Sequence, residues 1–288
     1  VQSRIGETYK QAKNFLREGR KVLFTGTPCQ ISGLRHYLRK DYDNLLTMDF
    51  VCHSAPSPKV WRKYISEQYA HKGVAGKNSV FQSLKDMPSI KGINFRDKTQ
   101  GWKKYSFSLS LTEASDEGEK NTVFRSPYYD NIFMNYFLSD TISRPSCYAC
   151  HAKNGRSGAD ITVGDYWWIN EIHPEFDDDK GCSVVYIFTE KGRQAFEKIK
   201  GRASVIETDS ETDIKKAYLL EGAFAEHAIP NKTRSKFFAE FDNKSLEELR
   251  PLSIRVKTLQ ERMLDMVKLI VNMLGIFNVA KKIYKSIK

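Results

Sequence analysis

The apolar positions near the start of the chain change period twice in quick succession. A short apolar run from Lys21 to Thr25 predicts a buried strand, and apolar residues then recur at helical spacing, at Ile31, Leu34, Tyr37 and Leu38. Thr27 is a typical N-cap residue and Pro28 is favoured at the first helical position, so the helix should begin there. A second apolar run, Leu45 to Val51, predicts another strand. The pattern predicts a βαβ unit, whose two strands are parallel and usually close neighbours.

Residues 79–122 have the alternation that is typical of β structure. Ile93 to Arg96 and Tyr105 to Thr112 each alternate or run apolar, and the polar stretch Asp97 to Gly101 separates them. Two such runs joined by a short glycine-containing turn predict a β-hairpin. The charged stretch that follows, Glu113 to Lys120, predicts a solvated loop.

The remaining pattern adds short strands and helices. Asp160 to Val163 and Val184 to Phe188 predict strands, Thr189 to Lys200 predicts a surface helix, and Met263 to Ile287 predicts an amphipathic helix. Together these elements indicate a mixed α/β (α+β) fold, with a βαβ-containing core sheet flanked by helices, a β-hairpin region and a C-terminal amphipathic helix. We expect one domain over residues 1–200 and a helical, basic region over residues 201–288.

The positive charge of the chain is concentrated at its end. The formal net charge is +11, and residues 244–288 hold ten basic against four acidic residues. A basic amphipathic helix could contact an anionic membrane surface, or it could pack against its own domain or a partner, which is the interpretation we favour. Aromatic residues make up 12% of the chain but are spread along it without a recognition motif, so we expect no nucleic-acid binding.

No apolar run approaches the roughly 20 residues that a membrane-spanning helix requires, and no signal segment opens the sequence. We therefore expect a cytoplasmic protein, with membrane association only through the basic tail. Motifs for phosphoryl transfer, a Rossmann nicotinamide site, zinc proteolysis and serine hydrolysis are absent from the sequence.

Four of the five cysteines occur where they could share one metal centre. Cys29 lies in the first turn of the predicted helix, Cys52 ends the second strand, and Cys147 and Cys150 form a CxxC pair. Because the carboxyl ends of parallel strands emerge at the same edge of a sheet, Cys29 and Cys52 should lie close together. A helix N-terminus favours a thiolate, and the CxxC spacing suits zinc or an iron–sulfur cluster. The arrangement therefore predicts a four-cysteine metal site.

Two other functions use the same cysteines. A structural zinc site would make the chain a non-catalytic accessory protein, and a reactive Cys147–Cys150 dithiol would make it a thiol–disulfide oxidoreductase. Cys182 opens an apolar run and is expected to be a small buried residue. His53 and His151 each adjoin a proposed ligand and are expected to donate hydrogen bonds beside the site or to face solvent.

The strings around these cysteines resemble one known family. They are Thr27-Pro-Cys-Gln30, Phe50-Val-Cys-His53, Arg144-Pro-Ser-Cys-Tyr-Ala-Cys150, Ile161-Thr-Val-Gly-Asp-Tyr-Trp167 and Lys180-Gly-Cys-Ser183, in the family's order. With these strings the chain resembles the beta-subunit family of coenzyme F-420 hydrogenases and dehydrogenases, which are iron–sulfur flavoproteins. It resembles a bacterial member without the upstream ferredoxin-like module, because nothing in the sequence supplies a dense CxxCxxC run.

The resemblance implies that Cys29, Cys52, Cys147 and Cys150 hold a 4Fe-4S cluster beside FAD. It implies an oxidoreductase that exchanges electrons between a ferredoxin-like partner protein and a small-molecule substrate, which could be the deazaflavin F-420 or another compound. An oligomer is compatible with it. The residues expected to bind the flavin are Thr25, Gly26, Thr27, Gln30, Arg96, Asp165, Lys180, Gly181 and Ser183.

Some of these flavin residues also have a reason in their own chemistry. Arg96 and Trp102, on the predicted hairpin, could face a flavin by charge and by stacking, or could be an ordinary surface arginine and a half-buried aromatic residue. Lys180 offers a positive charge, Gly181 a close backbone approach and Ser183 a donor, which together suit a pyrophosphate or an anionic ring edge. A turn with a solvated lysine explains the same residues and is the interpretation that the sequence alone favours.

Overall fold

The computed structural model describes residues 4–71, 89–115, 118–167, 169–209 and 228–253. The chain divides into one compact unit, Val1–Ser253, and a second unit, Ile254–Lys288, which lies outside the described residues. The predicted helix from Met263 to Ile287 falls in that second unit. Its structure, and any membrane contact that it makes, stay predictions.

The first part of the chain forms the predicted βαβ unit. Helix α1 (Thr8–Arg17) precedes strand β1 (Val22–Gly26), helix α2 (Pro28–Leu38) and strand β2 (Leu45–Phe50). Strands β1 and β2 are parallel, with Val22 opposite Leu45 and Gly26 opposite Asp49. The prediction is thus confirmed, with β1 shifted by one residue so that Gly26 ends the strand instead of opening the turn.

Helix α2 begins where the sequence predicts. Thr27 has an extended backbone and is the N-cap, Pro28 is the first helical residue, and the Gln30 side chain accepts a hydrogen bond from the Thr27 N–H at 2.9 Å. The helix ends at Leu38, and its C-cap, Arg39, adopts a left-handed conformation. The apolar face of α2 packs with α1, β1 and β2 into a buried cluster that includes Ala12, Leu16, Phe24, Ile31, Leu34, Leu38 and Leu45.

Two further strands complete the first sheet. They are β6 (Ile161–Asp165) and β7 (Ser183–Ile187), and the strand order is β1-β2-β6-β7. Strand β6 is parallel to β2, with Met48 opposite Ile161, whereas β7 is antiparallel to β6, with Asp165 opposite Ser183. Along the chain, helix α5 (Ile169–Ile172) follows β6 and precedes β7, and α6 (Glu190–Lys200) follows β7 as predicted.

The second sheet contains the predicted hairpin and one strand more. Strands β3 (Ser89–Asp97), β4 (Ser106–Ser115) and β5 (Gly118–Pro127) are antiparallel in the order β3-β4-β5. The prediction of a charged loop over Glu113 to Lys120 is wrong, because β4 and β5 extend into it and Glu113 lies opposite Lys120. Pairing with a neighbouring strand here overrides the weak β-propensity of charged residues.

The largest core lies beside this second sheet. Helices α3 (Pro58–His71), α4 (Ile132–Leu138) and α7 (Arg234–Glu240) contribute to it together with β4. Its fully buried side chains include Tyr136, Phe133, Phe237, Leu111, Ile142 and Leu246. Residues 228–253 therefore supply part of the main core, and Phe237 packs on Tyr136 with 4.7 Å between ring centroids. The predicted boundary at residue 200 stays a prediction.

The described helices include none long and apolar enough to cross a membrane. The mixed α/β fold class, with a βαβ-containing sheet and a hairpin, is confirmed.

Candidate functional site

Cys29 and Cys52 occupy the places in the βαβ unit that the sequence predicts. Cys29 is exposed in the first turn of α2, and Cys52 follows the end of β2. Cys147 and Cys150 lie in and directly after a 3₁₀ turn, Pro145–Ala149, which the N-cap Arg144 precedes. All five cysteines of the chain are free thiols.

Two segments far apart in the chain bring the CxxC pair to Cys52. Pro56 forms an isolated antiparallel bridge with Ser143, and Arg144 N–H donates to the Ala55 carbonyl oxygen at 2.8 Å. The Ala55 N–H in turn points at Cys147 Sγ, 3.4 Å away. A backbone N–H aimed at a sulfur is the kind of donor that stabilises a thiolate.

Cys52 is close enough to the other three cysteines to respond to their charge. Burial raises the pKa of the Cys52 thiol to about 11, Lys153 opposes this rise, and Cys29, Cys147 and Cys150 add to it. Burial and the charge of the other three cysteines both disfavour a thiolate at Cys52, and a positive charge beside it would favour one. A metal ion or cluster supplies such a charge.

Lys153 is the cation already present beside these sulfurs. The residue is 7% exposed, and its Nζ donates to the His53 carbonyl oxygen at 3.3 Å. Burial lowers the pKa of the Lys153 ammonium, while Cys52, Cys150, Asp140 and Cys147 act in the opposite direction. Sequence reasoning missed this residue, because a lysine shortly after a CxxC pair carries no pattern of its own.

The cysteine sulfurs are suitable ligands for a cluster, although the side chains are not gathered around one point. Over the described residues, no three histidine, cysteine, aspartate or glutamate side chains come together tightly enough to hold a metal ion. The four sulfurs and the N–H donor at Ala55 nevertheless suit thiolate ligation. The assignment of Cys29, Cys52, Cys147 and Cys150 as metal ligands remains a prediction.

A cavity of about 620 Å³ lies beside the segment that carries Cys52, whose chain neighbours Val51 and His53 line it. Most of its wall is apolar or aromatic, and its polar residues are His53, Arg96 and Asp165. The apolar and aromatic lining consists of Val51, Pro56, Phe95, Tyr105, Tyr128, Phe133, Met134, Phe137, Leu138 and Trp167. A large apolar pocket with a few convergent polar groups is the usual form of a cofactor site.

Arg96 and Asp165 are the two predicted flavin residues that the fold brings together. Arg96 lies near the end of β3 and Asp165 ends β6, and Arg96 Nη1 donates to Asp165 Oδ2. The guanidinium also lies over Tyr105, with 4.8 Å from its central carbon to the ring centroid. Both residues line the cavity, and both side chains are about one-third exposed.

His53 forms part of the cavity wall. Its Nε2 lies 3.0 Å from Asp140 Oδ1, and its ring packs edge-on against Phe137, with 4.8 Å between centroids. Since His53 follows Cys52 directly, one short segment contributes both to the cysteine group and to the cavity wall.

The other predicted flavin residues lie elsewhere. Thr25, Gly26, Thr27 and Gln30 surround the start of α2, where Gln30 packs over Gly26 and Thr27 Oγ1 lies 3.2 Å from Cys29 Sγ. Lys180 has an 84% exposed side chain that lies 3.5 Å from Asp178, and Ser183 is an exposed first residue of β7. Their roles as flavin ligands stay predictions.

Trp102 does not lie where a stacking role would need it. It is 2% exposed and packs on Trp167, with 4.5 Å between ring centroids, and the described cavity wall includes Trp167 but not Trp102. Three aromatic residues of the cavity wall were not predicted from the sequence. They are Trp167 and the stacked pair Tyr105 and Tyr128. The only signal for Trp167 was its place at the end of the string that contains Asp165.

The fold and the site thus define a mixed α/β protein with an aromatic cavity that has an ion pair on its wall and lies next to the segment that carries Cys52. A family model for the C-terminal part of the beta subunit of coenzyme F420 hydrogenase/dehydrogenase matches residues 19–213. The chain belongs to this family, and its function is of the redox type that these beta subunits have. Comparison with curated proteins and with solved structures found no match.

Proposed function

We propose that the chain is an FAD- and 4Fe-4S-dependent oxidoreductase subunit. In this proposal Cys29, Cys52, Cys147 and Cys150 hold the cluster, and the aromatic cavity holds the flavin ring. A flavin supplies two-electron chemistry and a cluster supplies one-electron transfer, so the pair can connect a hydride substrate with a one-electron carrier.

One observation carries the proposal. The segment 51–56 contributes to both sites: Cys52 belongs to the cysteine group, while Val51, His53 and Pro56 line the cavity. The Ala55 N–H, in the same segment, donates to Cys147 Sγ. A group in the cavity and a group on the cysteines would therefore lie next to each other, as electron exchange between them requires.

The residues of the chain would perform distinct tasks. The aromatic wall excludes water and stacks on a flat ring, while Lys153 offsets the negative charge of the thiolates. The substrate is the deazaflavin F-420 or another small redox compound, and the electron partner is a ferredoxin-like protein. A cytoplasmic location goes with this proposal, because the five free thiols suit a reducing compartment.

The first test is a visible spectrum with metal analysis on protein that was purified without oxygen. We expect a broad visible absorbance that dithionite bleaches, about four irons per chain and released FAD. One zinc per chain with no visible colour would overturn the proposal and make the site structural.

A serine series then tests the ligand set. Serine at each of the four cysteines should lower the iron content strongly, whereas Cys182→Ser should leave it unchanged. Cys182 is a suitable control because its Sγ contacts the Phe176 carbonyl oxygen at 3.3 Å and it packs in a separate apolar cluster. If only Cys147→Ser and Cys150→Ser had an effect, a dithiol enzyme would replace the cluster model.

A further inference from the structure

The first forty residues of the chain have a large excess of positive charge. Residues 4–40 hold nine basic and two acidic residues, whereas residues 41–243 hold 27 basic and 29 acidic residues. Ahead of the basic tail, the positive charge therefore belongs to the short stretch that forms α1, β1 and α2. A concentration of one sign of charge on part of a surface attracts a partner of the opposite sign.

The basic residues of α1 share one face of the helix. Lys10, Lys13 and Arg17 are spaced by three and four positions, which places them next to one another along the helix. The two buried residues of α1 lie on a neighbouring face. Lys10 and Arg17 are exposed and Lys13 is partly exposed, so the basic face is available to a partner.

Exposed aromatic rings accompany these cations. Phe15 is 39% exposed and Tyr37 is 41% exposed. Lys13 Nζ lies 5.1 Å from the ring centroid of Tyr37, and the guanidinium carbon of Arg20 lies 4.0 Å from that of Phe15. Aromatic and arginine side chains are enriched at protein–protein interfaces. This surface therefore offers apolar contact area as well as charge.

Cys29 lies at one end of the same surface. The hydroxyl of Tyr9, in the first turn of α1, donates to the Gln30 carbonyl oxygen at 2.7 Å. Burial and the charge of Cys29 both raise the pKa of this hydroxyl. Of the five cysteines, Cys29 is exposed and the others are partly buried. A metal centre bound to Cys29 would therefore come closest to solvent beside the start of α1.

The dimensions of α1 suit a single protein footprint. Its ten residues span about 15 Å. Weak redox complexes bury up to about 600 Å² on each partner, which is a patch roughly 25–30 Å across. One such patch covers both Cys29 and the basic face of α1.

The redox type of the chain favours an acidic protein over a nucleic acid at this surface. Both carry negative charge, but only an electron carrier gains from binding beside an exposed sulfur of a redox subunit. Complementary charges on the two proteins also give the fast association that a transient electron-transfer complex needs.

We propose that the basic face of α1, together with Tyr37, is the docking surface for an acidic electron-carrier protein, which binds with its redox centre beside Cys29. This inference rests on the proposed function and adds which surface the carrier contacts and which sign of charge it has.

The test measures how tightly an acidic plant-type 2Fe-2S ferredoxin binds to the wild type and to Lys10→Glu/Lys13→Glu. Isothermal titration calorimetry gives the dissociation constant at low salt and at about 0.15 M salt, where the Debye length is about 8 Å. At low salt we expect the double variant to bind about tenfold more weakly or worse. The difference should shrink at the higher salt, because screening weakens interactions between exposed charges.

Lys198→Glu/Arg202→Glu is the matched control. It changes the net charge by the same amount, and both residues are exposed near the end of α6. Helix α6 begins at the other edge of the parallel strands, where Lys191 Nζ donates to the Tyr42 carbonyl oxygen at 3.0 Å. This control should bind the ferredoxin as the wild type does.

The substitutions on α1 are compatible with folding. Lys10 lies in the first turn, where a glutamate interacts favourably with the helix dipole. Circular dichroism checks the fold of each variant. If the glutamate variant does not fold, Lys10→Gln/Lys13→Gln gives the result, with a smaller loss of affinity in the same direction.

Four outcomes would overturn the inference. They are unchanged affinity of the α1 variant, equal losses in the two double variants, no ferredoxin binding by the wild type, and tighter binding of a DNA duplex that the α1 variant loses. The iron and flavin contents decide the proposed function separately. Protein that holds zinc and no flavin, yet binds the ferredoxin through α1, would overturn the proposed function and support the docking surface.

Discussion

Gly181 lies directly against the indole ring of Trp102. A Cβ atom at residue 181 would stand 2.3 Å from Trp102 Nε1, and the glycine has a φ of +92°. The predicted flavin residue Gly181 and the predicted stacking residue Trp102 therefore pack on each other, and Trp102 in turn packs on Trp167 at the cavity wall.

This contact predicts that Gly181→Ala is strongly destabilising. A left-handed conformation costs a non-glycine residue about 1–2 kcal/mol, and forcing a methyl group into a packed ring adds about 1–3 kcal/mol. Urea unfolding measured by tryptophan fluorescence checks the loss. Gly19→Ala is the control, because Gly19 has a φ of +77° with nothing within 4 Å of its Cβ position. Equal losses in the two variants would show that the indole contact is unimportant.

Buried Asp160 is expected to be a major stabilising residue of the first sheet. Its carboxylate accepts from the Thr47 N–H, the Thr47 hydroxyl and the Thr189 hydroxyl, each at 2.7 Å, and from Arg35 Nη2 at 3.3 Å. Asp160→Ala would leave the buried Thr47 donors and the partly buried donors of Thr189 and Arg35 without this acceptor, and it should cost about 3–5 kcal/mol in the free energy of unfolding.

The exposed Asp178 is the control for this loss. Its side chain is 57% exposed and lies 3.5 Å from Lys180, so Asp178→Ala should change the free energy of unfolding by no more than about 0.5 kcal/mol. Both variants are measured by chemical denaturation. If Asp160→Ala had a similarly small effect, the hydrogen bonds that Asp160 accepts would not be important for stability.

Asp97 should make stability depend on pH in the acid range. The hydroxyl and backbone N–H of Thr99 and the guanidinium of Arg125 hold the pKa of this carboxyl well below its ordinary value. Because the folded pKa is lowered, the stabilisation is complete above the unfolded pKa, about 4, and is lost as the pH falls through the lower folded value.

Comparison with Asp97→Asn measures this contribution. At pH 7 the variant should be less stable by about 1 kcal/mol, the size of a partly screened charge-assisted hydrogen bond. The difference between the two proteins, followed by urea unfolding from pH 7 to pH 2, should shrink as the pH falls. A difference that stayed constant over this range would show that the charge of Asp97 has no part in it.

Phe237 should be as important to the core as any residue before position 200. Its side chain is fully buried and packs on Tyr136 and Phe241, with 4.7 Å and 5.5 Å between ring centroids. Phe237→Ala should therefore lower the free energy of unfolding by about 3–5 kcal/mol. The whole unit should still unfold in a single transition, at a lower midpoint temperature. Ile229→Ala, in the same segment but 67% exposed, should have little effect. A separate low-temperature transition would instead favour a boundary near residue 200.

The sequence by itself determined the local elements that carry the chemistry. The change of period between Phe24 and Leu45 predicted β1, α2 and β2, and the N-cap at Thr27 placed Cys29 in the first turn of the helix. These features depend on neighbouring residues only, since apolar periodicity and capping report which face of a short segment is buried. The hairpin of β3 and β4 was predictable for the same reason.

Only the tertiary structure decided which residues line the cavity. Arg96 meets Asp165 across 69 positions of the chain, and Trp167 replaces Trp102 on the wall. The antiparallel orientation of β7, the strand β5 and the burial of Lys153 could not be predicted from the sequence pattern either. Such contacts depend on how distant segments pair and pack, and the period of a segment records that it is buried but not against which partner.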